Sequence, residues 1–300
     1  METEIVAVIS GAGINPAYIH SFFLSEDFII LCIWSSHFIA SGAKILWERN
    51  LLDAMKFDPK ASAKWVVVDR KHDRGVVATF SSPAFFSFHT INAWQQDNGD
   101  EVDIMCDLIQ FPNMDILYKM YYENMISTGR GTEKYSGKTG SYPSFARYRL
   151  AGIPKVGSQG KSKSKGTSRL AELVLQVPSP AVGDLPTMNP RFSTKKMRYI
   201  YTVVDRGLSS FVDGIAKLDI ETQEVKYWGH PKHTPGEAIF VSDGTDEFED
   251  SGFLLSVIFN GETGSSYLIC LNARDMTEMG RAECTVAIGL GFHGSHYASG

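Results

Sequence analysis

Short runs rich in β-branched and aromatic side chains recur from one end of the sequence to the other. They are "EIVAVIS", "DFIILCIW", "KWVVVDR", "GVVATFSS", "FFSFHTINAW", "EVDIMCDLIQF", "ARYRLAGI", "AELVLQV", "RYIYTVVD", "GIAKLDI", "EVKYWG", "EAIFVSD", "GFLLSVIFN", "SYLICLN" and "RAECTVAIG". Turn chemistry such as "DRKHDRG", "DIETQEV" and "FNGETGSS" separates most of them, and strands so closely spaced pair locally as hairpins. The pattern predicts an all-β chain. Helical periodicity is confined to two inserts, "AKILWERNLLDAM" at 43–55 and "DILYKMYYENMIS" at 115–127, which predict short caps on a β scaffold. About fifteen regularly spaced strands fit a sandwich or a propeller.

With 300 residues, 43% of them hydrophobic, the chain can bury a sizeable core. A formal net charge of −5 argues against nucleic acid as a general partner. The widely spaced Cys32, Cys106, Cys270 and Cys284 include no C-x-x-C pair and read as buried free thiols of a reducing, cytoplasmic compartment. The start "METEIVAVISGAGINPAY" lacks the basic region and sustained apolar stretch of a signal. The longest apolar run, "FIILCIW" at 28–34, is too short to cross a bilayer. Residues 154–169, "PKVGSQGKSKSKGTSR", are basic and low in complexity. They read as a solvated, flexible loop, with contact to an anionic membrane surface as the secondary reading.

Three of the eight histidines stand apart from the rest. His89 lies in "FFSFHTINAW", His20 in "AYIHSFFLSEDFIILCIW" and His293 in "GLGFHGSHY". Each is flanked by aromatic residues in or beside a strand-like run, whereas the others occupy polar or turn contexts such as "HPKHTPG". A single histidine in such a place is ordinarily a core side chain bonded to a carbonyl. Three dry imidazoles spread over the whole chain suggest one metal. That spread favours a propeller, whose axial metal takes one ligand from each of several blades, over a clustered H-E-x-x-H site.

The segments "YIHSFFLSEDFIILCIW", "FFSFHTINAW", "DLPTMNPRFSTKKMRYIY", "TPGEAIFVSDGTDEFEDSGFLLSVIFNGETGSSYLICLNARDMTE" and "GFHGS" carry a likeness. In that order they resemble the carotenoid cleavage oxygenases, the retinal pigment epithelium 65-type family, and most of all its fungal members. The resemblance takes in nearly the whole of residues 1–300 as one carotenoid oxygenase domain. It implies a seven-bladed β-propeller with an axial non-haem Fe(II), one per subunit, held by four histidines. His20, His89 and His293 match the second, third and fourth of these. The first would lie in an earlier blade, so the resemblance implies an incomplete propeller lacking its N-terminal blades, an N-terminally truncated piece. If the chain supplies its own fourth ligand, His296 is the first candidate.

The family's acidic residues that orient ligand histidines match Glu237, by analogy the partner of His293, and Asp184, the partner of His89. Asp184 stands where most members have Glu and reaches about 1.5 Å less far. The acidic partner of His20 would also lie upstream. The implied reaction is Fe(II)-dependent cleavage by dioxygen of a carbon–carbon double bond in a carotenoid, apocarotenoid or stilbene-like alkene, giving two carbonyl products. A polyene is recognised by shape and aromatic packing, and Phe85, Phe86, Phe88 and Trp94 are candidates to line its tunnel, with a core role the plain reading of each. The alternatives are an inactive remnant, a carotenoid-binding module or a protein-contact scaffold. The expected setting is the cytoplasm, with peripheral membrane contact.

Overall fold

The computed structural model describes residues 3–11, 14–126, 142–157, 169–209, 211–245 and 248–297. Two compact units account for them. The first is built chiefly from Met1–Tyr121 and Ala146–Gln176, the second from Tyr142–Phe145 and Val177–Gly300.

The first unit carries most of two sheets. In one, β1 (Phe23–Leu24), β2 (Phe28–Ile33), β5 (Ala63–Asp69), β6 (Val76–Ser82) and β10 (Arg169–Leu170) follow one another across the sheet. The other runs β11 (Glu172–Pro178), β9 (Ser144–Pro154), β8 (Glu101–Gln110), β7 (Thr90–Asn98). A two-stranded ribbon, β3 (Ser36–Phe38) with β4 (Met55–Phe57), interrupts the chain between β2 and β5. The core packs Trp34, Trp65, Phe80, Phe85 and Tyr148, and Trp65 satisfies its indole by donating to Ser82 Oγ at 3.0 Å.

The second unit repeats the plan. β12 (Asp184–Thr187), β13 (Tyr199–Val204), β14 (Gly214–Asp219) and β15 (Val225–Trp228) form a sequential meander. In the last sheet β18 (Gly252–Asn260), β19 (Ser265–Asn272) and β20 (Glu278–Glu283) lie side by side. β16 (His233–Pro235) and β17 (Ile239–Ser242) share the free edge of β18, one at each end. Repeated antiparallel sheets of about four strands are the unit from which propellers are built. Along β18 the buried Leu254, Ser256 and Ile258 alternate with half-buried Phe253, Leu255 and Val257, the two-residue period of a strand covered on both faces.

Four expectations change. Residues 4–10 are irregular and mostly exposed, because strand-forming side chains make a strand only where a neighbour takes up the ladder. The run at 281–289 is shifted: β20 ends at Glu283 and irregular chain follows. The insert at 43–55 yields a single turn, α1 (Ile45–Glu48), stopped by Arg49 at φ 50°. The insert at 115–127 divides into α2 (Asp115–Lys119) and α3 (Tyr122–Ile126). Most of the basic loop of 154–169 lies outside the described residues. All four cysteines are free, with Cys32 and Cys106 buried and Cys270 and Cys284 half-buried. Among the described residues no helix is long and apolar enough to cross a membrane.

Candidate metal centre

His20 stands three residues before β1 and His89 immediately before β7. Their ring centroids are 5.0 Å apart with the planes at 86°, and each offers a ring nitrogen within 4.8 Å of one on the other. The rings are close enough to share an ion, and edge-on to each other rather than stacked. The Phe88 ring packs against both, 5.7 Å from His20 and 5.9 Å from His89. Tyr18 places its hydroxyl 3.1 Å from Nδ1 of His20. Burial holds that phenol above its ordinary pKa, and hence neutral. A neutral phenol can donate to or accept from Nδ1, so this contact orients the His20 ring without fixing its tautomer.

β1 and β7 belong to different sheets, and side chains tie them together. Ser21 Oγ donates to the carbonyl of Phe88 at 2.7 Å and accepts the N–H of Thr90 at 2.9 Å. In return the Thr90 hydroxyl donates to the carbonyl of Phe22 at 2.9 Å. Further along, Gln95 Oε1 accepts from Ser25 Oγ and from the N–H of Asp27, while its amide nitrogen donates to the Asp27 carboxylate.

In the second unit, residues 236–238 bulge from the edge of β18 where β16 gives way to β17. Gly236 donates to the carbonyl of Val257 at 2.9 Å, and its own carbonyl accepts from Ser256 Oγ. A Cβ at Gly236 would come within 3.2 Å of the Gly291 carbonyl oxygen, a tight approach that favours glycine there. Glu237 projects from this bulge. Its Oε1 lies 3.2 Å from Nδ1 of His293, and Oε2 accepts the N–H of Gly294 at 2.9 Å. Glu237 thus contacts His293, again on Nδ1. Asp184 opens β12, half-buried, opposite Val203.

The expectation that all three imidazoles are dry does not hold. His20 and His293 are exposed and His89 is half-buried, because aromatic neighbours in sequence are not always buried ones: Phe22 is 55% exposed, Phe292 43% and Tyr297 86%. His296 is exposed as well.

The four aromatic candidates have different surroundings. Phe85 is a core ring, packed on Trp34, Trp65 and Tyr148. Phe86 is wholly buried and packs on Phe88 and Phe111. Trp94 lies beneath the guanidinium of Arg147, 4.5 Å from its ring centroid, and Arg147 in turn bonds both oxygens of the buried Asp107. Burial pushes the Asp107 carboxyl up to about 6 despite the pull of Arg147. Phe88 packs against the rings of His20 and His89. Tyr18, Ser21, Thr90 and Gln95 carry no motif, and reading the sequence did not single them out. The available signal was the hydroxyl residue directly following each of His20 and His89.

The family described as retinal pigment epithelial membrane protein matches residues 2–298. A carotenoid dioxygenase of Neurospora crassa is 41% identical over 308 residues, covering 100% of this chain and 50% of that protein. A torulene dioxygenase of Fusarium fujikuroi is 42% identical over 306 residues, covering 98% and 52%. This chain therefore spans about half the length of the curated relatives it matches. Among solved structures, an ACO/RPE65 chimera superposes with a TM-score of 0.68 at 22% identity, covering 93% of this chain and 53% of the other. Cobalt-substituted Synechocystis ACO does so at 0.68 and 20% identity, covering 92% and 52%. The shared fold is the all-β propeller type, to which the helices here add only short inserts.

Proposed function

This chain belongs to the retinal pigment epithelial membrane protein family of carotenoid oxygenases, and from that premise we propose that it serves iron-dependent oxidative cleavage of a conjugated alkene. His20, His89 and His293 would hold one Fe(II) per chain, with dioxygen as co-substrate and a carotenoid, apocarotenoid or similar polyene as the molecule cleaved. The observation that carries this reading is the pair of imidazoles at 5.0 Å in the first unit, reinforced by the carboxylate-held imidazole of His293 in the second. Neutral nitrogen donors suit Fe(II) and leave its full charge available. When bound, the iron would direct dioxygen to the double bond, both oxygen atoms ending in the two carbonyl products.

The protein's own contributions are orientation and an apolar contact. Glu237, a carboxylate, would favour the Nδ1–H form of His293, Tyr18 would orient the ring of His20, and Asp184 would support His89. Phe88, buried against Phe86 and Phe111, packs beside the imidazoles, and the part of its ring left uncovered would give a polyene an aromatic contact. Delivery of so apolar a substrate fits peripheral contact with a lipid surface. Leu46, Trp47 and Leu51, all strongly exposed on and just after α1, would provide the contact.

The test is anaerobic loading with Fe(II), then aerobic incubation with torulene or β-carotene dispersed in detergent, followed by loss of visible absorption and identification of aldehyde products. Bleaching that requires iron and yields two carbonyl fragments is the expected result. An iron-loaded chain that binds the pigment without consuming oxygen would overturn catalysis in favour of a binding module.

A further inference from the structure

The hydroxyl of Ser21 is where the two histidine-bearing segments of the first unit are joined. It donates to the carbonyl of Phe88 and accepts the N–H of Thr90, so it spans His89 from the residue before to the residue after. Ser21 itself directly follows His20. The Thr90 hydroxyl, directly following His89, returns the contact to the carbonyl of Phe22. Each histidine is therefore followed by a hydroxyl bonded to backbone within two residues of the other histidine.

A second tie lies further along, where Gln95 engages Ser25 and Asp27. The partners in both ties are separated by a nearly constant interval in sequence, so the segments run alongside each other in one register. β1 pairs with β2 and β7 with β8, so within their sheets neither strand dictates where the other stands. A shift of either strand would move one imidazole relative to the other.

We infer that Ser21 and Thr90 are positioning residues that set the separation of His20 and His89 for a shared metal ion, Ser21 through its paired hydrogen bonds to the backbone on both sides of His89 and Thr90 through its hydroxyl's return bond to the carbonyl of Phe22. The inference rests on the proposal that these histidines hold a metal. It differs from the Tyr18 contact, which is to a ring, and from that of Glu237, which reaches both ring and backbone, in acting on the backbone alone. A divalent ion needs its nitrogen donors fixed to within a few tenths of an ångström, and supports of this kind are worth roughly ten- to a hundredfold in metal affinity.

The experiment is an anaerobic Co(II) titration of the full chain followed by visible absorption, which reports both affinity and ligand geometry, with melting temperature measured alongside. Four variants are compared with the parent: Ser21→Ala, Ser21→Thr, Thr90→Val and Ser82→Ala. The last cuts a core hydroxyl contact to Trp65 in the same unit and controls for general loss of stability. We expect Ser21→Ala to bind Co(II) ten- to a hundredfold more weakly with shifted absorption bands, and Ser21→Thr, which keeps the hydroxyl, to recover both. Ser82→Ala should melt earlier yet bind Co(II) as the parent does. Should Ser21→Ala not fold, the near-isosteric Thr90→Val decides, with weakened binding expected. Parent-like affinity and spectrum in Ser21→Ala, or in Thr90→Val in its place, overturn the inference while leaving the metal site intact. A parent that binds no Co(II) overturns the metal reading itself.

Discussion

Glu237 holds His293 with one carboxylate oxygen and the N–H of Gly294 with the other, at 3.2 and 2.9 Å. One side chain thus fixes both the ring and the backbone that carries it. Glu237→Gln keeps the size but removes the charge and turns one acceptor into a donor, so one of the two contacts is lost. Metal affinity should fall roughly ten- to a hundredfold, as for other partners of ligand histidines. Asp184→Asn should cost less, the shorter side chain being the weaker support. Calorimetric titration of both variants with Fe(II) under anaerobic conditions measures the ranking, and a larger loss in Asp184→Asn would reverse it.

The three histidines can be removed one at a time. His20 and His293 are exposed, so alanine at either should change folding stability by no more than about 0.5 kcal/mol. Loss of metal in these variants then reports ligation and not unfolding. Parent protein should carry about one iron per chain by elemental analysis, and each of His20→Ala, His89→Ala and His293→Ala should lose most of it. Unchanged iron in His89→Ala would remove that residue from the ligand set.

The strands that sequence reading locates best are long ones with a strong apolar pattern: "GFLLSVIFN" coincides with β18 from Gly252 to Asn260. Edge pieces such as β1, β10 and β16, two or three residues each, have too few positions to show a period and exist because a neighbour pairs with them. The same dependence explains why residues 4–10, with their apolar pattern, form no strand. At the candidate site, the histidines stood out by their aromatic, strand-like settings and Glu237 only through the family resemblance. Ser21, Thr90 and Gln95 did not. Their roles depend on which segment lies opposite in space, and serine, threonine and glutamine hydrogen-bond in nearly every context.

Lys217 is almost fully buried in β14. It donates to Asp250 Oδ2 at 2.5 Å and to the carbonyl of Arg274 at 2.9 Å, 4.2 Å from the Tyr199 ring centroid. Burial draws its ammonium below the ordinary lysine range, and Asp250 offsets part of that. Lys217→Met would leave the Asp250 carboxylate buried with Arg274, 3.8 Å away, as its remaining cation. A loss of about 3 kcal/mol is expected from removing one partner of such a pair. The double variant Lys217→Met/Asp250→Leu, which removes both charges, should regain most of it. Urea denaturation of the parent and both variants measures this. A double variant no more stable than Lys217→Met would show that the pair contributes more than mutual neutralisation.

Asp219 ends β14 as the anchor of a turn and a buttress for Arg198. Burial raises its carboxyl, but Arg198 bonds both oxygens and the N–H groups of Glu221 and Thr222 point to Oδ1. The net result is a pKa lowered to about 2. A carboxylate whose folded pKa lies below its unfolded value stabilises the fold fully above the unfolded pKa, near 4. That contribution is lost as pH falls towards the folded value. Asp219→Asn should therefore be less stable than the parent at about pH 6. The gap should narrow between about pH 4 and pH 2 as the parent's carboxylate gains its proton. Urea midpoints of the two proteins across that range measure the difference. A gap that stays constant down to about pH 2 would mean that the turn is held by the shape of the side chain and not by its charge.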